Sequence, residues 1–192
     1  MEVLWGDVPV FPQFKDLTLE DKSLFETAFS RFPPSISEFT FTNLFIWRHR
    51  YQLKVSRFND FICLLSDQEK DPFFFPPIGG GDVIECYRML LNYLQEGGRF
   101  PKVSRVPEDV VTQIDWKAEG LTAELDRNQS DYIYRTEDLI KLEGRKYHRK
   151  RNHIKQFKDK YSYPYVPLTP KWIPECIRLQ TEWRDPRHWE AI

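Results

Sequence analysis

The sequence predicts an α+β (mixed α/β) fold in which a central, mostly antiparallel sheet is flanked by helices. Three observations favour this fold class. Helical and extended patterns alternate along the chain, two neighbouring extended segments read as a hairpin, and aromatic residues make up 16% of the 192 positions. A chain of this length and aromatic content can bury a sizeable core without disulfides or metal ions.

Two helices are predicted before the first main strand. Thr18 and Asp21 have the spacing of a capping box, and apolar residues follow at helical intervals until the Pro-Pro pair at 33–34 stops the helix. Either Ser37 or Thr40 is expected to cap the second helix.

The middle of the chain predicts a hairpin followed by an amphipathic helix. Residues 52–57 and 61–66 read as two strands joined by a tight turn, and residues 72–78 read as an extended segment. Three glycines at 79–81 and Asp82 then begin a helix that a Gly-Gly pair ends. Its expected apolar face consists of Val83, Ile84, Tyr87, Leu90, Leu91 and Leu94.

The second half of the chain predicts further interleaved elements. These are strands at 100–106, 121–126, 131–135 and 163–168, a short helix at 107–114, a helical or loop–helix segment at 137–160, and a helix at 171–184. The chain stops soon after this last, aromatic-rich helix, and we therefore expect a truncated or incomplete second domain.

The composition favours a soluble cytoplasmic protein. The first residues are acidic where a signal peptide is basic, and no run approaches the ~18 apolar residues of a membrane span, so no stable membrane insertion is expected. Cys63, Cys86 and Cys176 are odd in number and lack a CxxC pair, which indicates reduced thiols and no metal site.

Charge is segregated although the total is only −1. Residues 137–160 hold nine Lys and Arg against four acids, a local charge of +5, and the remainder of the chain is at −6. On one continuous helix Ile140, Tyr147, Ile154 and Phe157 would form a buried stripe that also includes Gly144 and Arg151. A buried arginine needs a partner, and Gly144 permits close approach of another element or a phosphate.

The residues alone leave two interpretations of this basic segment open. It is either a solvated face whose Arg151 pairs with an internal carboxylate, or an anion-binding site. Other candidates are weaker. The glycines at 79–81 lack the pattern of a phosphate-binding loop, Asp126 and Asp131 read as turn formers, and no GxSxG motif or adjacent Cys–His pair supports nucleophilic catalysis.

Three motifs together resemble one bacterial family. They are FTFTNLFIWR at 39–48, DYIY at 131–134, and L-x-G-x-K-Y-H-x-K-R-N-H-I at 142–154. The chain is similar in these motifs to the C-terminal domain of phosphatidylglycerol lysyltransferase, and the likeness runs from about Phe11 to the end. The resemblance implies two acyltransferase folds of the GNAT type in tandem, related to Fem-type aminoacyltransferases. Residues 1–160 would be the first and 161–192 the start of an incomplete second.

The resemblance also implies a function. It predicts an acyl- or aminoacyltransferase with aminoacyl-tRNA or acyl-CoA as donor, an unknown acceptor, and no certain cofactor. Lys141-x-x-Gly144-x-Lys146 stands where acyl-CoA-dependent members carry R/Q-x-x-G-x-G/A, and Lys146 replaces a small residue there, which weakens the case for acyl-CoA. The expected anion site is lined by Gly144, Lys146, His148, Lys150 and Arg151, with Asn152 and His153 orienting the loop; catalytic residues are unknown.

Two alternatives remain from the sequence. The chain is a non-catalytic binding module whose basic helix holds nucleic acid, such as tRNA, or an acidic partner; or it is a support unit for a missing second domain. In the tandem interpretation we expect little activity from this chain alone. We also expect self-association into a homodimer or larger species through Trp172, Trp183 and Trp189.

Overall fold

The structure is a computed structural model that describes residues 5–183. The chain divides into two compact units, Met1–Tyr132 and Ile133–Ile192, here called unit 1 and unit 2. This division separates two compactly packed parts of the chain. The boundary predicted between residues 160 and 161 separates two copies of one fold, and it stays a prediction. The architecture is α+β with a mostly antiparallel sheet, as the sequence predicts.

Helix α1 (Lys22–Arg31) begins at the predicted capping box. The backbone N–H of Thr18 donates to the carboxylate of Asp21 over 2.9 Å, and a single 3-10 turn links this box to the helix. The helix ends before the Pro-Pro pair, because proline removes a hydrogen-bond donor and restricts the residue before it.

Helix α2 (Phe41–Tyr51) is capped by Thr40, which decides between the two predicted caps. The hydroxyl of Thr40 accepts from the backbone N–H of Asn43 over 3.2 Å. Ser37 has a different role, since its hydroxyl and its backbone N–H both donate to Asp131. That bond anchors the last residues of unit 1 to the loop before α2.

In the described part of the chain the sheet has five strands, and every ladder is antiparallel. The strands are β1 (Lys15–Asp16), β2 (Leu53–Phe58), β3 (Phe61–Ser66), β4 (Phe73–Phe74) and β5 (Ile78–Gly79). The predicted hairpin is confirmed as β2 and β3, joined by a two-residue turn in which Asn59 has φ of 50°. On its other side β3 pairs with β4 at one end and β5 at the other.

Strand β3 lies at the centre of the core, and all six of its residues are buried. Successive side chains point to opposite faces of a strand. Ile62 and Leu64 join the cluster formed with α1 and α2, while Phe61, Cys63 and Leu65 join the cluster on the other face. A strand covered on both faces reads as a continuous apolar run, which explains the sequence FICLL.

Helix α3 (Val83–Glu96) covers the second face of the sheet, as predicted. Asp82 caps it by accepting from the backbone N–H of Glu85 over 2.9 Å, and Gly97 follows its last residue. The buried residues are Cys86, Tyr87, Leu90 and Leu94. Ile84 and Leu91, which we expected on the buried face, are only half-buried, and Cys86, which we did not expect there, is buried.

Between α3 and the end of unit 1, the chain contains one α-helix and almost no sheet. Helix α4 (Glu108–Gln113) confirms the short helix predicted there. The predicted strand at 100–106 is wrong, because its pairing is limited to an isolated bridge between Val103 and Phe74. Arg105 nevertheless fixes this segment in place: its guanidinium donates to the Tyr51 hydroxyl over 2.7 Å and packs on the ring of Phe75.

The strands predicted at 121–126 and 131–135 are also wrong. No neighbouring strand offers these segments a ladder within the described part of the chain, and Ile133 is 92% exposed. An alternating pattern makes a strand only where partner backbone groups lie alongside, so the apolar residues of these segments remain on the surface.

Unit 2 consists of helices and extended connections. Its helices are α5 (Thr136–Lys141), α6 (His148–Lys160) and α7 (Ile173–Trp183), with 3-10 turns before α6 and α7. These confirm the loop–helix at 137–160 and the last helix. The strand predicted at 163–168 is wrong: this extended segment has no paired strand among residues 5–183, and Tyr165 is 97% exposed. Trp189, and the end expected for the last helix at 184, lie outside the described residues.

The buried stripe predicted along residues 140–157 is wrong as well. Residues 142–147 interrupt the helix, so Ile140 and Ile154 do not share one helical face. Ile140, Ile154 and Phe157 are exposed, and Tyr147 is buried. No helix between residues 5 and 183 has the length and apolar character needed to cross a membrane.

Candidate anion-binding site

The candidate site is the turn between α5 and α6. Helix α5 ends at Lys141, and Leu142 follows in a left-handed conformation with φ of 50°. Gly144 has φ of 84°, and no atom lies within 4 Å of where a Cβ would stand. A side chain would have room at this position, and glycine is needed because the backbone has a positive φ.

Arg151 holds this turn closed. Its Nη1 donates to the carbonyl oxygens of Leu142 and Gly144, the latter over 2.9 Å. Arg151 thus has two backbone carbonyls as partners, where we expected an anion or an internal carboxylate. Its side chain positions the loop from the first turns of α6, seven residues after Gly144.

Lys146 is bound back to α5. Its Nζ lies 3.4 Å from a carboxylate oxygen of Asp138 and 4.8 Å from the ring centre of Tyr147. The hydrogen bond to Asp138 raises the pKa of Lys146. The lysine is therefore cationic at neutral pH, and an added anion would share it with Asp138.

The other four predicted site residues lie on α6. The side chains of His148, Lys150, Asn152 and His153 are exposed, with no hydrogen bond or ion pair to any other residue between positions 5 and 183. At 100° per residue, His148 and Asn152 share one face of the helix, and Lys150 and His153 lie on another. The turn brings Gly144, Lys146 and Arg151 together. The other four predicted site residues lie on two different faces of α6.

A basic stripe on α6 was missed in the sequence analysis. Arg151, Lys155 and Lys158 recur at intervals of four and three residues, so they share one face of the helix. Helical spacing of the basic residues, and not only their number, is the signal that would have found it. No side chain caps the N-terminus of α6, where backbone N–H groups favour an anion.

The charge of the two units is opposite in sign. Residues 133–192 carry 14 Lys and Arg against 8 acids, and residues 1–132 carry 14 against 21. The field around α6 is therefore positive, and an exposed helix with a stripe of cations suits a polyanion such as a nucleic-acid backbone. The arrangement provides binding groups; none of the site residues is placed as a nucleophile or general base.

Comparison with known proteins agrees with the resemblance in the motifs. The family model described as phosphatidylglycerol lysyltransferase, C-terminal, matches residues 29–191. A solved structure of a conserved protein of unknown function from Bacteroides thetaiotaomicron VPI-5482 matches with a TM-score of 0.72 and 28% identity. The match covers 93% of this chain and 61% of that one, so this chain spans about three fifths of its solved neighbour. No curated protein matches the chain.

Proposed function

We propose that this chain, which belongs to the phosphatidylglycerol lysyltransferase C-terminal family, is the donor-binding part of a GNAT-type aminoacyltransferase. The donor is aminoacyl-tRNA, and the acceptor is a compound with a nucleophilic hydroxyl or amine. One observation carries the choice of donor: the exposed basic helix α6, set behind a glycine turn in a segment of charge +5.

The contacts of Lys146 favour tRNA over acyl-CoA. In an acyl-CoA site, backbone N–H groups at this turn must reach a pyrophosphate closely, which small side chains permit. Here Lys146 stands beside the turn and is bound to Asp138. An RNA backbone needs no such close approach, because long lysine and arginine side chains reach its phosphates.

In the proposed reaction the aminoacyl group is transferred directly. The acceptor nucleophile bonds to the carbonyl carbon of the aminoacyl ester, the ester bond breaks, and the terminal ribose oxygen of the tRNA leaves with a proton. Lys155 and Lys158 hold backbone phosphates in this scheme, and Arg151 positions the turn. Because no covalent enzyme intermediate is required, the scheme needs no nucleophilic side chain in this chain.

Direct binding measurements test the donor assignment. We expect the triple variant Lys150→Ala, Lys155→Ala, Lys158→Ala to bind aminoacyl-tRNA at least tenfold more weakly in a filter-binding or anisotropy assay. We also expect its slope of log affinity against log salt to be less steep by about two, since fewer counterions are released. The matched control, Lys22→Ala, Lys70→Ala, Lys117→Ala, removes the same charge from unit 1 and leaves binding unchanged.

The second candidate function is a support domain without a donor site, and the internal bonds of Lys146 and Arg151 favour it. In that case neither triple variant changes tRNA binding. Saturable binding of an acyl-CoA that the α6 variant abolishes would contradict the choice of tRNA and return the donor to the acyl-CoA class.

A further inference from the structure

A groove of about 770 Å³ lies in unit 1, along the exposed side of α3. Its other wall is formed by Phe11 and Pro12 and by Phe58 at the end of β2. The floor is apolar and half-buried: the ring of Phe11 meets that of Tyr93 edge to face at 5.2 Å, and Met89 lies on the same face of α3. All of its lining residues belong to unit 1.

The groove extends over most of α3. Glu85 lines it in the first turn of the helix and Glu96 at the last residue. At 1.5 Å per residue, the Cα atoms of these two glutamates are about 16 Å apart. A ligand that reaches both carboxylates is therefore elongated.

The unneutralised charge of the groove is negative. Two arginines also line it, but both are paired: Arg88 donates to Glu119 over 2.9 Å, and Arg99 to Asp67 over 2.6 Å. Glu85 and Glu96 have no ion-pair partner among residues 5–183. The groove therefore presents an acidic group at each end and an apolar floor between them.

We propose that this groove binds an extended peptide segment in which apolar side chains are flanked by two basic residues. An extended chain advances about 3.3 Å per residue and its alternate side chains share one face, so basic residues six positions apart face the same side at about 20 Å. Their flexible side chains reach back to the two glutamates, whose Cα atoms are about 16 Å apart. The apolar floor stabilises the bound peptide by removing its central side chains from water. A linear polyamine has the charge but offers no bulky apolar group to this floor.

The site requires no transferase activity, and its test is independent of the donor assignment. The probe is the dye-labelled, end-capped heptapeptide Lys-Ala-Leu-Ala-Phe-Ala-Lys, titrated with the full chain in 50 mM salt and followed by fluorescence anisotropy. We expect saturable binding that the double variant Glu85→Gln, Glu96→Gln weakens about fivefold, since exposed ion pairs contribute up to about 1 kcal/mol each. The matched control Glu69→Gln, Glu124→Gln removes two exposed carboxylates outside the groove and stays within twofold of the parent.

Three further probes decide what the groove recognises. We expect no binding of the peptide with glutamates at its ends, and at least fivefold weaker binding of one with five central serines. Equal binding of the serine peptide, or displacement of the probe by spermidine at an equal concentration, would overturn the proposal. Absence of saturable binding would also overturn it. A dimer in light scattering that the groove variant dissociates would do the same, because a second copy of the chain would then fill the groove. Thermal melts of each variant confirm that it is folded.

Discussion

Unit 1 and unit 2 show how differently the same kinds of residue behave in two parts of one chain. In unit 1, strand β3 is buried on both faces between α1 and α2 on one side and α3 on the other. In unit 2, Tyr147 is the one buried residue among those described, although the helices carry aromatic and aliphatic side chains. Amphipathic sequence is therefore not enough for burial; a second layer must lie against it.

The same comparison applies to charge. Unit 1 carries an excess of acids and unit 2 an excess of basic residues, which the net charge of −1 conceals. In unit 2 the largest group of cations lies on α6, whereas the one cation of α7, Arg178, is paired with Glu175 and Glu182. Three measurements test how far this contrast extends.

The largest effect is expected from removing core volume in unit 1. Leu64→Ala, in the fully buried centre of β3, should lower the free energy of unfolding by about 3 kcal/mol in urea denaturation, since it leaves a cavity between the sheet and its helices. Leu179→Ala on α7, where the side chain is 64% exposed, makes the same chemical change and should alter stability by less than about 0.5 kcal/mol. Equal losses would show that the α7 surface is buried in solution.

Alkaline pH should destabilise unit 1 through two buried acids. Contact with the Cys86 thiol at 4.0 Å and burial raise the pKa of Cys63, and burial raises the pKa of Tyr87. Both groups keep their protons when folded, while the unfolded thiol and phenol release theirs above about pH 8.5 and 10. The free energy of unfolding should therefore fall by about 3 kcal/mol between pH 8 and pH 10.5.

Two substitutions assign this pH dependence. Cys63→Ala should make the stability profile less steep between pH 8 and 10, whereas Cys176→Ala on the exposed surface of α7 should leave it unchanged. An unaltered profile in the Cys63 variant would contradict the assignment. Urea denaturation at each pH, followed by circular dichroism, gives the measurement.

The smallest effect is expected in self-association through unit 2. The exposed side chains of Ile177 and Trp183 on α7 should give a dimer or larger species at low micromolar concentration. Ile177→Lys should weaken this association about tenfold, equivalent to about 1.4 kcal/mol, as measured by light scattering. The matched change Ile46→Lys, at an equally exposed position on α2, should have no effect, and a monomeric parent would contradict the prediction.

The sequence predicted the helices of this protein well. Three of them have a start signal in the residues beside them, namely the Thr18–Asp21 box and the caps at Thr40 and Asp82. The hairpin was predicted for the same reason, since its turn is encoded within two residues. Helices and tight turns complete their hydrogen bonds within a few positions, and local sequence therefore determines them.

Which extended segments became strands was decided by the tertiary structure alone. Residues 131–135 contain aromatic and β-branched residues that favour a strand, yet no strand lies beside them within residues 5–183, and Asp131 bonds to Ser37 instead. The partner of Arg151 was decided in the same way, because the carbonyls of Leu142 and Gly144 face it only after the turn has closed. A strand ladder and a side-chain bond to the backbone both need a partner whose position the local sequence does not specify, and folding supplies that position.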